Sequence, residues 1–309
     1  MHAHSLLLTA PRHLTWVKEE LPGLRPDEVL IQTTASAISI GTELPKFQGT
    51  SRNSQPAHYP CMTGYESAGK VLACGSAVQR LHIGERVVAF YGHRTHAIIP
   101  ETKAIAVPEN LPDAIALLAI LSCDVTKGIR KLQPRADEAV LVTGAGTIGL
   151  LTIFMLKTLG IQTIDVIEPR PKRSSLALQL GASHAGLSHP TGENGYNIGI
   201  ECSSHNAAFA HLQESLVTGG RICILADGNI EPLILSPAFH EKELLVVGSS
   251  DGWDYQEHAR HFFPMTQAHA DTLEHLFNYR TTTDNLIATF EQLASDTISP
   301  IKVLVQYNT

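Results

Sequence analysis

The stretch "VLVTGAGTIGLL", Val140 to Leu151, sets three glycines at 144, 146 and 149 directly after an apolar run. The residues before Gly144 suit a buried strand, and "TIGLLTIFMLKTLG" (147–160) suits a buried helix. The glycines stand at the join. Gly144 permits the tight turn, Gly146 lets a pyrophosphate approach the backbone, and Gly149 lets helix and strand pack closely. Thr147 and Ile148 open the helix, where free N–H groups and the helix dipole favour a phosphate. Such a pattern is weak when alone. Here Glu168 lies 19 positions beyond Gly149 (168 − 149 = 19), at the end of the next apolar run, "QTIDVIE" (162–168). The combination predicts a dinucleotide site.

Glu168 can accept hydrogen bonds from ribose hydroxyls and would repel a 2′-phosphate, so NAD is the expected cofactor. Arg170, Lys172 and Arg173 follow at once. An arginine there, Arg173 among them, can pair with a 2′-phosphate, so NADP stays open as the alternative.

Outward from this unit, strands and helices alternate. "EAVLVTG" (138–144), "NIGIECS" (197–203), "RICILA" (221–226) and "ELLVVGSS" (243–250) read as strands. "DAIALLAILSCDVTKGIRKL" (113–132, Asp113 as N-cap), "PKRSSLALQLGA" (171–182) and "NAAFAHLQESLVTGG" (206–220) read as helices. Apolar strands of this kind suit a parallel sheet covered on both faces. Before Pro112 the texture differs. "DEVLIQTTASAIS" (27–39) and "SAGKVLACGSAVQRLHIGERVVAFY" (67–91) are short strands and turns, as in a small β-barrel. The tail reads as helices near 267–279 and 283–295, then a strand "IKVLVQY" (301–307). The expected organisation is a first domain over 1–112, a dinucleotide domain over 113–252, and a return segment over 253–309 that completes the first.

Composition narrows the function. The 309 residues carry a formal net charge of −7, which gives no basic face for nucleic acid. A hydrophobic fraction of 43% and a charged fraction of 17% describe a globular chain. Runs such as "AIALLAIL" (114–121) are too short to cross a membrane, and the first residues lack a secretory leader. Five cysteines without paired spacing read as reduced thiols, so a cytoplasmic location is expected. The expected partner is a small-molecule substrate.

The motifs "GTE" (41–43), "GYESAG" (64–69), "GERVV" (84–88), "VTGAGTIG" (142–149), "LGAS" (180–183) and "IKVLV" (301–305) resemble, in order and spacing, the medium-chain dehydrogenase/reductase superfamily of the alcohol dehydrogenase type. The resemblance implies an α/β chain: a GroES-like β-barrel catalytic domain plus a six-stranded, doubly wound parallel Rossmann domain, with the active site in the cleft between them. It also implies a homodimer or homotetramer as the default. Zinc-dependent members carry cysteine before the Gly-Thr turn and histidine in the Gly-His-Glu turn. Here those places hold Ile40 and Tyr65, and no four-cysteine lobe follows "GERVV". Isoleucine cannot ligate zinc and tyrosine rarely does, so neither catalytic nor structural zinc is expected. A surrogate set of His58, Cys61, Glu66, His93 and His96 lacks a recognised spacing, as does the pair His258 and His261.

Without a metal, hydrogen-bond donors must stabilise the forming alkoxide. The resemblance assigns a proton-relaying hydroxyl to Thr42 and a supporting carboxylate to Glu66. Tyr65 can donate a phenolic proton, or it fills the space of a vacated ligand. Phe90, Tyr91 and His93 follow the "GERVV" strand as candidate substrate-pocket residues, and Thr126 matches a position that contacts nicotinamide. Within the zinc-lacking members, "IS-x-GTE" (38–43), Tyr59-Pro60 and "GYE-x-AG" (64–69) are similar to bacteriochlorophyllide dehydrogenases, which oxidise a hydroxyethyl group on a chlorin with NAD. The leading expectation is a zinc-independent oxidoreductase for a secondary alcohol or ketone. A metal-free quinone or enoyl reductase and a non-catalytic NAD(P)H-binding sensor or interaction protein are the alternatives.

Overall fold

The computed structural model describes residues 1–52, 58–188, 195–226 and 230–308. The chain divides into two compact units. One comprises Met1–Ile120, Tyr255–Ala270 and Leu276–Thr309, and the other Leu121–Asp254 and Asp271–His275. The helix Asp113–Leu132 runs through the division.

The second unit is built on a six-stranded parallel sheet. Its order is His184–Gly186, Thr163–Ile167, Ala139–Thr143, Tyr196–Glu201, Leu216–Ile224, Leu245–Gly248. Counted along the unit this is 3-2-1-4-5-6, the doubly wound Rossmann arrangement. Val140, Leu141 and Val142 are wholly buried, as a strand covered on both faces requires. The helix Thr147–Thr158 buries every residue from Gly149 to Leu156. Leu141, Phe209, Leu212, Leu216 and Ile222 form one core cluster. The helix expected over 206–220 ends at Ser215, and Leu216 already pairs with Tyr196 in the sheet. Burial against a neighbouring strand overrides the local helical pattern there.

The first unit holds a sheet in the order Tyr279–Thr282, Val303–Gln306, Glu28–Ile38, Glu66–Cys74, Arg86–Ala89, Ile105–Ala106, with His96–Pro100 also on Glu28–Ile38. A smaller sheet joins His13–Glu20, His2–Ala10 and Cys61–Met62. The return segment closes the larger sheet, since Val303–Gln306 pairs antiparallel with Ala35–Ile38. Helices Ile40–Gln48 and Leu286–Ala294 meet through Phe47 and Phe290, ring centroids 5.4 Å apart. The tail differs from expectation. A helix spans Tyr255–Thr266, and of the helix expected over 267–279 only a 3-10 turn Gln267–His269 and the short helix Ala270–Glu274 form before the strand Tyr279–Thr282. Tyr279, Thr281 and Thr282 favour a strand, and parallel pairing with Val303–Gln306 fixes it. No helix among the described residues is long and apolar enough to cross a membrane. All five cysteines are free.

One ion pair lies wholly inside this unit. Lys302 Nζ donates to Glu66 Oε1 at 2.7 Å, and the side chains are 1% and 0% exposed. The Lys302 ammonium also lies 5.9 Å from the Phe277 ring centroid. Burial pushes the Glu66 pKa up, and Lys302 opposes that shift. Removing one partner strands the other charge. Lys302→Met is therefore expected to cost roughly 3–5 kcal/mol at neutral pH. Without the lysine, Glu66 rises further above its unfolded value. The folded variant then holds a proton that the unfolded chain has released, so its stability falls as pH rises through that window. Denaturant titrations across pH should show the deficit narrowing toward acid. A constant deficit would contradict an uncompensated Glu66.

Candidate active site

In the first unit the site begins where the strand Glu28–Ile38 passes through Ser39 into the helix Ile40–Gln48. The "GTE" motif thus opens a helix rather than standing in a free turn. Glu43 lies one turn in, 6% exposed, and its carboxylate ties three segments together. Oε1 accepts the Ser39 N–H at 2.8 Å, and Oε2 accepts the Gly64 N–H at 2.8 Å. His93 Nε2 stands 3.1 Å from the same Oε2. On its other side, His93 Nδ1 lies 2.8 Å from Ser36 Oγ, which is 3.3 Å from the Tyr307 hydroxyl. These contacts are satisfied together when Nε2–H donates to Glu43 and Nδ1 accepts from Ser36. A closed polar network of this kind rigidifies the interior. Gly64 has φ +72, and a Cβ there would stand 2.8 Å from the His93 ring, so only glycine fits.

The network positions Tyr65. Its phenol donates to Ser39 Oγ at 2.5 Å, with the Thr42 hydroxyl close by. Burial pushes the phenol pKa up, and the nearby Glu66 charge adds to the shift. Tyr65 therefore keeps its proton at neutral pH. Phe90 is 44% exposed and stacks on Tyr65 with centroids 6.4 Å apart, and Tyr255 meets Phe90 edge-on at 4.7 Å. Tyr91 and His93 do not join this aromatic face. Tyr91 packs in the buried cluster around Val29 and Ile31, and His93 is fully enclosed. The chain bends at Phe90, just past the strand Arg86–Ala89, and this separates Phe90 from the buried Tyr91.

Ile40, Tyr65 and Glu66 stand where zinc-dependent members place metal ligands and their neighbouring glutamate. Ile40 packs against the apolar cluster around Phe47. Tyr65 is engaged by Ser39, and Glu66 gives Oε1 to Lys302 while its Oε2, buried without a partner, has no thiolate or imidazole beside it at positions 40 and 65. This set does not fit a zinc ion, which wants thiolate, imidazole or free carboxylate. Cys61 packs on the same apolar cluster, His58 is exposed, and His96 contacts Thr95. His258 stacks inward on Phe262 while His261 is exposed. Among the described residues, no three His, Cys, Asp or Glu gather as a metal group.

In the second unit the glycine turn has the shape its spacing predicts. Gly144 has φ +85, and a Cβ on Gly149 would lie 1.9 Å from the Gly144 carbonyl oxygen. A Cβ on Gly146 would meet nothing nearer than Arg173 Nη1, at 3.9 Å. Gly146 thus presents an open backbone face with a guanidinium beside it, and Thr147 and Ile148 start the helix there. Burial lowers the Arg173 pKa. An anionic pyrophosphate fits this cradle. Glu168 is buried, with Oε2 accepting the Ala145 N–H at 2.7 Å and Oε1 the Arg170 N–H at 2.9 Å. Thr126 is buried in its helix and donates to the Ser122 carbonyl at 2.7 Å, so its hydroxyl has a local partner.

Sequence reasoning missed Ser39, Ser36, Tyr307, Lys302 and the bridging role of Glu43. A lysine inside the apolar run "IKVLV" was the one visible signal.

Comparison with known proteins agrees with this geometry. Residues 25–108 match the alcohol dehydrogenase GroES-like domain. An L-threonine 3-dehydrogenase of Rhizobium rhizogenes is 26% identical over 271 residues, covering 72% of this chain and 75% of that protein. Galactitol-1-phosphate dehydrogenase from Escherichia coli superposes with a TM-score of 0.85 at 18% identity, covering 98% and 99% of the two chains. A short chain alcohol dehydrogenase from Escherichia coli, solved with NADH, superposes at 0.82 with 19% identity and 99% coverage of both chains. The GroES-like match over residues 25–108, the 3-2-1-4-5-6 sheet and its glycine turn in one polypeptide make the chain similar, in sequence and fold, to alcohol dehydrogenase-like medium-chain dehydrogenases/reductases.

Proposed function

We propose that the chain is an NAD(P)-dependent oxidoreductase that moves a hydride between nicotinamide and a secondary alcohol or ketone, without zinc. The observation that carries this reading is the Tyr65 phenol, held among the hydroxyls of Ser39 and Thr42 where zinc-dependent members place a histidine ligand. The open Gly146 face beside Arg173 supports a dinucleotide. The relatives named as threonine and galactitol-1-phosphate dehydrogenases support a carbinol as the reacting group. Five free thiols support a cytoplasmic setting.

When bound, nicotinamide gives or takes the hydride. The chain's own residues handle the oxygen and its proton. Tyr65, protonated at neutral pH, gives its one O–H to Ser39 in the resting site and turns it to a carbonyl oxygen when substrate binds, stabilising the charge that gathers there. Thr42 lies beside the phenol and is half-exposed, so it can pass a proton between substrate and phenol. Ser39 accepts from Tyr65 and fixes the ring's direction. The Glu43–His93 network holds the backbone on both sides of this cluster. Glu168, gripped by the Ala145 and Arg170 N–H groups, supports NAD over NADP by repelling a 2′-phosphate.

Tyr65→Phe and Thr42→Val should each lower kcat by about 10²–10³-fold with a smaller change in KM, as loss of an oxyanion donor does. Steady-state kinetics on a panel of secondary alcohols and ketones checks this. Wild-type kcat in both variants would remove the hydroxyl cluster from the chemistry. Prolonged chelation should leave activity intact, and a loss restored by zinc would overturn the metal-free reading. Glu168→Ala should lower the NAD-to-NADP ratio of kcat/KM by about tenfold, equivalent to ~1.4 kcal/mol. An unchanged ratio would take Glu168 out of cofactor choice.

A further inference from the structure

The glycine turn forms one lip of a crevice. In open parallel sheets a ligand sits beyond the strand ends where the strand order reverses, here between Ala139–Thr143 and Tyr196–Glu201. Glu201 ends the second of these strands and is 0% exposed. Its Oε1 accepts the N–H of Ser203 at 2.7 Å, the N–H of Ser204 at 3.0 Å and the Ser203 hydroxyl at 2.5 Å. The Thr143 hydroxyl, from the neighbouring strand, lies 3.4 Å away. Oε2 is buried without a hydrogen-bond partner. A wholly buried carboxylate with an unmet oxygen is costly to keep, and burial pushes its pKa up.

What that carboxylate gathers is a turn. Ser204 has φ +60, a left-handed conformation uncommon for serine. The turn lies against the first fingerprint glycine, since a Cβ on Gly144 would meet Ser203 Cα and Cβ, each at 3.1 Å. The strained turn is therefore the wall facing the glycine loop, and Glu201 is its anchor.

We propose that Glu201 is a positioning residue for the dinucleotide: it holds the Ser203–Ser204 turn in place as the second wall of the crevice. Glu201 acts through the turn and does not itself touch the cofactor. The proposal rests on the cofactor reading above.

The test uses the full chain, titrated with NADH and with NADPH while the fluorescence of the reduced nicotinamide is followed. Glu201→Ala should weaken binding by about tenfold or more, whereas Glu201→Gln, whose amide oxygen still accepts from the turn, should stay within about threefold. Adding Ser204→Gly to Glu201→Ala should recover part of the loss, because glycine adopts φ near +60 unaided. Folded Glu201→Ala with wild-type affinity, or no recovery from the added glycine, would overturn the proposal. If Glu201→Ala does not fold, Glu201→Asp, one methylene short, should show the same loss, and wild-type affinity there would equally overturn it. A wild-type chain that binds neither dinucleotide would sink the cofactor reading as well. Binding by wild type and variants alike would remove only Glu201.

Discussion

The buried pair of Glu66 and Lys302 fastens together two parts of the chain 236 residues apart. Glu66 starts the strand that follows the Tyr65 turn, and Lys302 leads into the strand that closes the sheet. Neither charge can stay inside without the other. The return segment is therefore held to the strand that carries the site, and Val303–Gln306 takes up its pairing with Ala35–Ile38 just before Ser39. Tyr65 gains its direction from this arrangement, because its neighbours on both sides are fixed: Gly64 by Glu43 and Glu66 by Lys302.

A second carboxylate does comparable work with backbone donors. Glu43 holds the N–H groups of Ser39 and Gly64, and the side chains of Ser39 and Tyr65 then meet at 2.5 Å. Glu168 grips Ala145 and Arg170 in the same manner around the glycine turn. In each case one anion orders two stretches of main chain, a stiffer arrangement than a surface ion pair provides.

The strand, glycine turn and helix of the second unit were legible in the sequence because their constraints are local. Gly144, Gly146 and Gly149 answer to steric limits within a few residues, and the spacing to Glu168 is set by one helix and one strand. The absence of thiolate and imidazole at positions 40 and 65 was likewise readable residue by residue. What was not legible depends on distant contacts. His93 reads as a pocket residue until Glu43 and Ser36 are seen to enclose it. Tyr91 looks like a partner of Phe90 until the bend at Phe90 and the buried cluster that takes in Tyr91 are seen. The strand at Tyr279–Thr282 has strand-forming residues of its own, but its pairing with Val303–Gln306 is a long-range contact. Lys302 stood out only as a charge in an apolar run, with its partner hidden far upstream.

The fit between Ile40 and the cluster around Phe47 has an evolutionary side. A cysteine at 40 alone would put a polarizable thiol into an apolar cluster and give up the contacts isoleucine makes there. A histidine at 65 alone would leave Ser39 without its phenol and break the stack with Phe90. Each single step loses packing or hydrogen bonding before any metal could repay it. Changes at positions 40 and 65 are thus coupled: each alone loses packing or a hydrogen bond, so a sequence with both replaced is reached only through a less well-packed one.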